Sequence, residues 1–233
     1  MPVLDHQSLD TQHASQRLAE LGEHDLAAAF FASLSQQEPS VSPDGKITDG
    51  SGDHILNPDF ATIQPKGGLK PAAVLVAVNM AAKAPEVTLT VRTANLSSHA
   101  GQIAFPGGRV DPGEVPHQTA LREAMEEVAL PPSRVDVQGF LPSYASRTGY
   151  RVYPVVGALD GVPPLTPSPA EVETIFQVPL RFLLNPGNAQ RTSRVFEGKE
   201  RYFYTYRYEK HAIWGLTAGI VHHMSERLIN HLD

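Results

Sequence analysis

The sequence predicts a mixed α/β sandwich, and three patterns carry that reading. Short apolar or alternating runs recur from residue 71 to residue 208. A strongly periodic helical segment interrupts them around residues 117–130, and a second, from about Ala212 to Leu232, ends them. Strands interleaved with two amphipathic helices are the mark of helices layered on one sheet.

Taken in order, residues 7–37 place Leu18, Leu21, Leu26, Phe30 and Leu34 at helix-like intervals with Gly22 between them, which predicts two short helices in an N-terminal arm. The next stretch, EPSVSPDGKITDGSGDHILNPDF, is rich in Pro, Gly, Ser and Asp and reads as a connector or a substrate-covering flap. Arm and connector are expected over residues 1–68, and the main domain over 69–233. From Pro71 onward, AAVLVAVNM is a short apolar run and EVTLTVRT alternates with period two, so both read as strands. RVDVQGFLPSYA, GYRVYPVVGAL and ERYFYTYRYE read as further strands. In the last of these, Tyr202, Tyr204, Tyr206 and Tyr208 either pack one sheet face or stack an adenine ring. The closing helix sets Leu216, Ile220, Met224, Leu228 and Leu232 on one face and leaves His222 and His223 at the surface.

A chain of 233 residues suits one large domain with an appendage. The absence of cysteine excludes disulfides, thiolate metal sites and a thiol nucleophile. A formal net charge of −6 argues against broad attraction to nucleic acid or membrane surfaces. No apolar run approaches the roughly 18 residues of a membrane span. The first residues lack a basic segment followed by an apolar one, so no secretory signal is read and a cytoplasmic protein is expected.

The chemistry concentrates in AFPGGRVDPGEVPHQTALREAMEEVAL, residues 104–130. Ala120, Leu121, Ala124, Met125 and Val128 form an apolar helical stripe, and Glu123, Glu126 and Glu127 fall together on the polar side. Three carboxylates converging there would repel one another unless a hard divalent cation held them. Glycines before the helix let a diphosphate approach the backbone, and a carbonyl of the turn, at Gly107, could add a ligand. Arg122 is placed to pair with Glu114. The competing reading is a solvated acidic helix face.

Gly108, Glu114, Arg122, Glu123, Ala124, Glu126, Glu127 and Leu130 reproduce the spacing of the Nudix hydrolase box, which this stretch resembles. Six Gly, Glu and Arg positions in that register arise by chance roughly once in ten million starts. The resemblance implies a Nudix-type α/β/α sandwich with a mixed β-sheet, Mg²⁺ or Mn²⁺ held by Glu123, Glu126 and Glu127 with Gly107, and structural roles for Gly108, Glu114 and Arg122. Ala129 stands where the family has a glycine, so a different exit from the helix is expected.

Upstream, LTVRTANLSSHAGQIAFPGG is similar to the motif of the coenzyme A pyrophosphatase branch, through Leu89, Thr90, Arg92, Leu96, His99, Gly101, Gln102 and AFPGG. EVETIFQVPL and IWGLTA also resemble that branch. The implied substrate is coenzyme A or a derivative, cut to 3′,5′-ADP and 4′-phosphopantetheine or its acyl form. Arg92 is the first candidate for the extra phosphate. Ser97, Ser98, His99, Gly101, Gln102, Gly107 and Gly108 are the other candidate contacts, with purely local hydrogen bonding as the alternative for the polar ones. The catalytic base is sought in the box or in Glu171 or Glu173. Two rivals stand beside this reading: a Nudix enzyme acting on ADP-ribose or another nucleoside diphosphate derivative, and a catalytically silent nucleotide-binding module. The arm is expected either to shape the pantetheine end or to form a homodimer.

Overall fold

The computed structural model describes residues 6–41, 51–62, 68–94 and 101–233. In chain order it comprises α1 (His6–Glu20), α2 (Glu23–Ala32), β1 (Ser51–Gly52), β2 (Lys70–Asn79), β3 (Glu86–Arg92), β4 (Ile103–Ala104), β5 (Gly107–Arg109), α3 (Pro116–Val128), β6 (Asp136–Phe140), β7 (Tyr144–Ala145), β8 (Tyr150–Leu159), β9 (Val172–Pro179), α4 (Leu180–Leu184), β10 (Gln190–Phe196), β11 (Lys199–Tyr208), β12 (His211–Trp214) and α5 (Leu216–Leu232).

The main sheet runs β1-β7-β8-β2-β3-β4, with β5 added to β2, β6 to β8 and β9 to β3. Its spine is the parallel pair β2 and β8, in register from Lys70 opposite Tyr150 to Asn79 opposite Leu159. The other neighbours of these two strands are antiparallel, so the sheet is mixed. The run AAVLVAVNM is apolar throughout because both of its faces are covered. Ala73, Leu75 and Ala77 point to Ala120, Ala124 and Val128 of α3. Ala72, Val76 and Val78 point into the larger core with Leu26 and Phe30 of α2, Leu183 of α4, and Met224 and Leu228 of α5. Alternate side chains of one strand thus serve two layers, which makes the molecule an α/β/α sandwich.

The arm is built into that larger core through Leu18, Leu26, Phe30 and Leu34. Arg181 clamps it, donating to Glu23 Oε1 at 2.6 Å and to the carbonyls of Leu18 and Leu21 at 2.5 and 2.6 Å. The connector is stitched down as well. Asp53 accepts from Tyr144 Oη and the Arg147 amide, and Asn57 exchanges bonds with both main-chain groups of Tyr202. Asp59 pairs with Arg201 and Lys199.

Three sequence expectations need correction. RVDVQGFLPSYA is two strands, β6 and β7, because Pro142 lies between them and cannot donate to a ladder. Ala212–Trp214 belong to β12 of a small second sheet, β10-β11-β12, and the last helix begins only after Gly215, whose φ of +64° turns the chain. His222 and His223 are not surface residues. Their side chains are 18% and 17% exposed, with His222 stacked on Tyr204 at 3.8 Å and His223 edge-on to Tyr144. Three of the four stripe tyrosines pack inward, with Tyr206 fully buried, Tyr204 against His222 and Tyr208 against Phe182, while Tyr202 donates to Glu200.

Candidate active site

The site forms where α3 packs on β2 and on the glycines of β5, which the sequence suggests as a turn and the structure pairs with Ala73 and Val74 of β2. Pro116 is the first helical residue, and Val115 ahead of it offers no side-chain acceptor for the free helical N–H groups. Glu38 supplies one from the start of the connector, accepting from the His117 amide at 3.1 Å and meeting its Nδ1 at 2.7 Å. Sequence reasoning missed this residue. The visible signal was a helix start with proline in place and no Ser, Thr, Asp or Asn before it.

Arg122 binds the loop to the helix. Its Nε and Nη2 donate to the two oxygens of Glu114 at 2.8 and 3.1 Å, Nη2 also to the Arg109 carbonyl, and Nη1 to Glu123 and Glu126 at 3.0 and 3.3 Å. With Thr119 Oγ1 donating as well, this fork holds the Glu114 carboxyl down to about 2.

Glu127 is 2% exposed. It accepts from the Gly107 amide at 3.1 Å and from Arg92 Nη1 at 3.3 Å. Burial outweighs those two donors, and Glu171 and Glu123 add repulsion, so its pKa is pushed up to about 7. Glu123 is raised for the same leading reason, with Arg122 opposing and Glu126 and Glu171 adding to the rise. Its carboxylate lies so close to Gly108 that a Cβ there would meet Glu123 Oε1 at 2.2 Å. Gly107 is equally confined but by backbone: a Cβ would stand 2.3 Å from the Ala73 carbonyl oxygen.

The three helix carboxylates are not placed alike. Glu123 and Glu127 are four residues apart, about 40° around the helix, and both turn toward the glycines. Glu126 is offset on the other side, 57% exposed and drawn to Arg122. Among the described residues no three His, Asp or Glu side chains form a ready-made metal cluster. The donors nonetheless suit a hard dication, because they are oxygens only and are buried beyond what their cationic partners offset. Arg92 Nε beside them is buried without a hydrogen-bond partner and suits an acceptor oxygen.

Of the remaining candidates, Arg92 sits inside the carboxylate group, 3.9 Å from Glu171. Gln102 and Gly101 close the hairpin base, the Gln102 carbonyl accepting from the Arg92 amide at 2.9 Å and the Gly101 amide donating to the Arg92 carbonyl at 3.0 Å. Glu171 joins the group electrostatically, whereas Glu173 is exposed on β9. Ser97, Ser98 and His99 lie outside the described residues. Ala129 overturns the expected new helix exit. It takes the left-handed turn itself, at φ 57° and ψ 33°, with Ala129 N–H on Met125 O and Leu130 N–H on Ala124 O. The Schellman-like geometry that glycine normally favours is kept at the energetic expense of an alanine.

A mixed sheet with a glycine-bearing strand ahead of an Arg-Glu and Glu-Glu helix defines a class of hydrolase. The NUDIX domain model matches residues 69–210. The chain is 44% identical over 158 residues to the uncharacterized Nudix hydrolase NudL of Photorhabdus laumondii, covering 67% of this chain and 84% of that relative. It is 41% identical to the NudL protein of Escherichia coli K12, covering 66% and 80%. A Nudix hydrolase from M. smegmatis, RenU, aligns at 24% identity and TM-score 0.43 over 51% of this chain and 78% of that one. The chain belongs to the Nudix hydrolase family. No helix among the described residues is long and apolar enough to cross a membrane.

Proposed function

We propose that this Nudix hydrolase cleaves the diphosphate bond of coenzyme A or a derivative. Water attacks one phosphorus and the P–O–P bond breaks, giving 3′,5′-ADP and 4′-phosphopantetheine or its acyl form. The observation that carries the hydrolytic reading is the buried pair Glu123 and Glu127 turned toward Gly107 and Gly108, with Glu171 and Arg92 in the same group. The coenzyme A reading rests on the Leu89–Gly108 motif and on Arg92, a fixed cation beside the carboxylates.

Glu123 and Glu127, with Glu126 and the Gly107 carbonyl, would hold Mg²⁺ or Mn²⁺. When bound, such an ion supplies the positive charge that offsets the diphosphate and lowers the pKa of water. Glu171 is the nearer loop base. It is half exposed and coupled to both buried glutamates, so it can take a proton from water and release it to solvent. Gly107 and Gly108 carry no side chain because the β2 backbone and the Glu123 carboxylate fill the space one would need.

The test compares coenzyme A and ADP-ribose, each with magnesium or manganese, and identifies products by mass spectrometry. Coenzyme A split to 3′,5′-ADP, with the product lost in Glu127→Gln, is the expected result. Turnover of ADP-ribose with coenzyme A untouched overturns the substrate, and no turnover of either overturns the enzyme.

A further inference from the structure

The small sheet carries a second recognition surface that the hydrolytic site does not use. Register places Thr192 opposite Phe203 and Thr205 opposite Trp214, so these side chains share the face of β10-β11-β12 that turns away from the buried tyrosines. With Arg194 and Arg207 they line a cavity of about 290 Å³. Tyr204, Tyr206 and Tyr208 occupy the opposite face and are committed to the core, so the two sides of one hairpin have separate work.

Three features of the cavity point to one chemistry. First, no acidic side chain among the described residues lines it, although the whole chain carries a net charge of −6. The acidic neighbours are engaged elsewhere: Asp59 pairs with Lys199 and Arg201, Glu197 with Arg147, and Glu200 accepts from Ser193 and Tyr202. Neither Arg194 nor Arg207 makes an ion pair among the described residues, so two exposed guanidinium groups stand unneutralised at the two ends of the cavity, Arg194 beside Arg201 and Arg207 beside Ala212. Second, Trp214 is 38% exposed and tilted at 56° to Phe203 with centroids 5.7 Å apart, which offers an accessible indole face beside the cations. Arg194 already lies within 5.8 Å of the Trp214 ring. Third, the hydroxyls of Thr192 and Thr205 meet at 2.9 Å and can turn toward a polar ring edge or a sugar.

A guanidinium fork recognises phosphate, and an exposed indole recognises a flat heterocycle. We propose that this face binds a nucleoside phosphate, its base laid on Trp214 and its phosphate between Arg194 and Arg207. The proposal stands apart from the coenzyme A reading, because it names a surface outside the glutamate cluster and is tested without turnover.

Trp214 is the single tryptophan of the sequence, so its fluorescence reports this face alone. Metal-free protein is titrated with AMP, with adenosine and with inorganic phosphate. The expected result is saturable quenching by AMP with half-effect below about 1 mM, at least tenfold weaker binding of adenosine, and no quenching by phosphate. Arg194→Ala and Arg207→Ala each raise the half-effect concentration about tenfold, while Arg92→Ala retains the response and so separates this face from the glutamate site. No saturable change up to about 10 mM, or an unchanged response in both arginine variants, overturns the proposal. So does a Trp214 shift that follows protein concentration without ligand and coincides with a dimer in sedimentation, which would make this face a contact between two copies.

Discussion

Replacing Gly108 by alanine separates the architecture from the chemistry. The new methyl would sit 2.2 Å from Glu123 Oε1 and 2.3 Å from Glu123 Cδ. Ordinary carbon–oxygen contact is about 3.4 Å or more, so the carboxylate must retreat by about 1 Å. The clash is with the far end of a flexible side chain, so the fold can absorb it and the Tm should stay within about 3 °C of the parent. The same displacement at a reacting centre costs about 100-fold in rate. The assay is kcat/KM for diphosphate hydrolysis beside a thermal melt. Gly107→Ala is the control with the opposite outcome, because its methyl meets the Ala73 carbonyl at 2.3 Å and Val74 Cα at 2.7 Å, both backbone. That variant should lose several degrees of Tm or fail to fold. A Gly108→Ala protein with undiminished kcat/KM would refute the assignment of Glu123 to the reaction, and a destabilised one would refute the view that the glycine serves the site rather than the fold.

Other outcomes follow from the same contacts. Glu127→Gln should fold normally and lose at least ~100-fold in kcat, since it removes a carboxylate aimed at the site while keeping its shape; steady-state kinetics and a melt check both parts. Ala129→Gly should raise stability by about 1 kcal/mol, the left-handed penalty less the extra freedom of glycine in the unfolded chain, read as roughly 2–4 °C in Tm. Glu38→Ala should cost about 1 kcal/mol by leaving the start of α3 uncapped, measured by chemical denaturation. The pH response of Glu114 has a definite sign. Its folded pKa lies near 2, below the ordinary 4.5, so its pairing stabilises the fold above pH 4.5 and is lost as pH falls toward 2. The Tm gap between the parent and Glu114→Gln should therefore narrow over that range, and a gap independent of pH would count against the Arg122 fork.

Much of this was legible before any coordinates. AAVLVAVNM announced a strand, and it is the spine of the sheet. The stripe Ala120, Ala124 and Val128 announced the buried side of α3. Arg122 and Glu114 were legible as a pair because charged partners at such short separation have few other places to go. What the sequence hid were effects of neighbours far along the chain. Nothing local says that Glu126 turns out to Arg122 while Glu123 and Glu127 turn in, since all three share one helical sector. Nothing at Ala212–Trp214 distinguishes a strand edge from the first turn of a helix, as the apolar periods agree over so few residues. His222 and His223 looked like surface residues because the aromatic rings that cover them, Tyr204 and Tyr144, come from elsewhere in the chain.

The clamp of Arg181 on the arm has a consequence for how this chain can be cut. The stretch recognisable by ancestry ends at residue 210 and begins at residue 69, yet Leu183 and Leu184 inside it rest on Phe30 and Leu26 before it and on Met224 and Leu228 after it. A fragment trimmed to the shared region would uncover that greasy seam and leave a guanidinium facing carbonyls that are no longer there. Heredity and autonomy of folding therefore draw different borders in this molecule, and the wider one is the border to respect when expressing it.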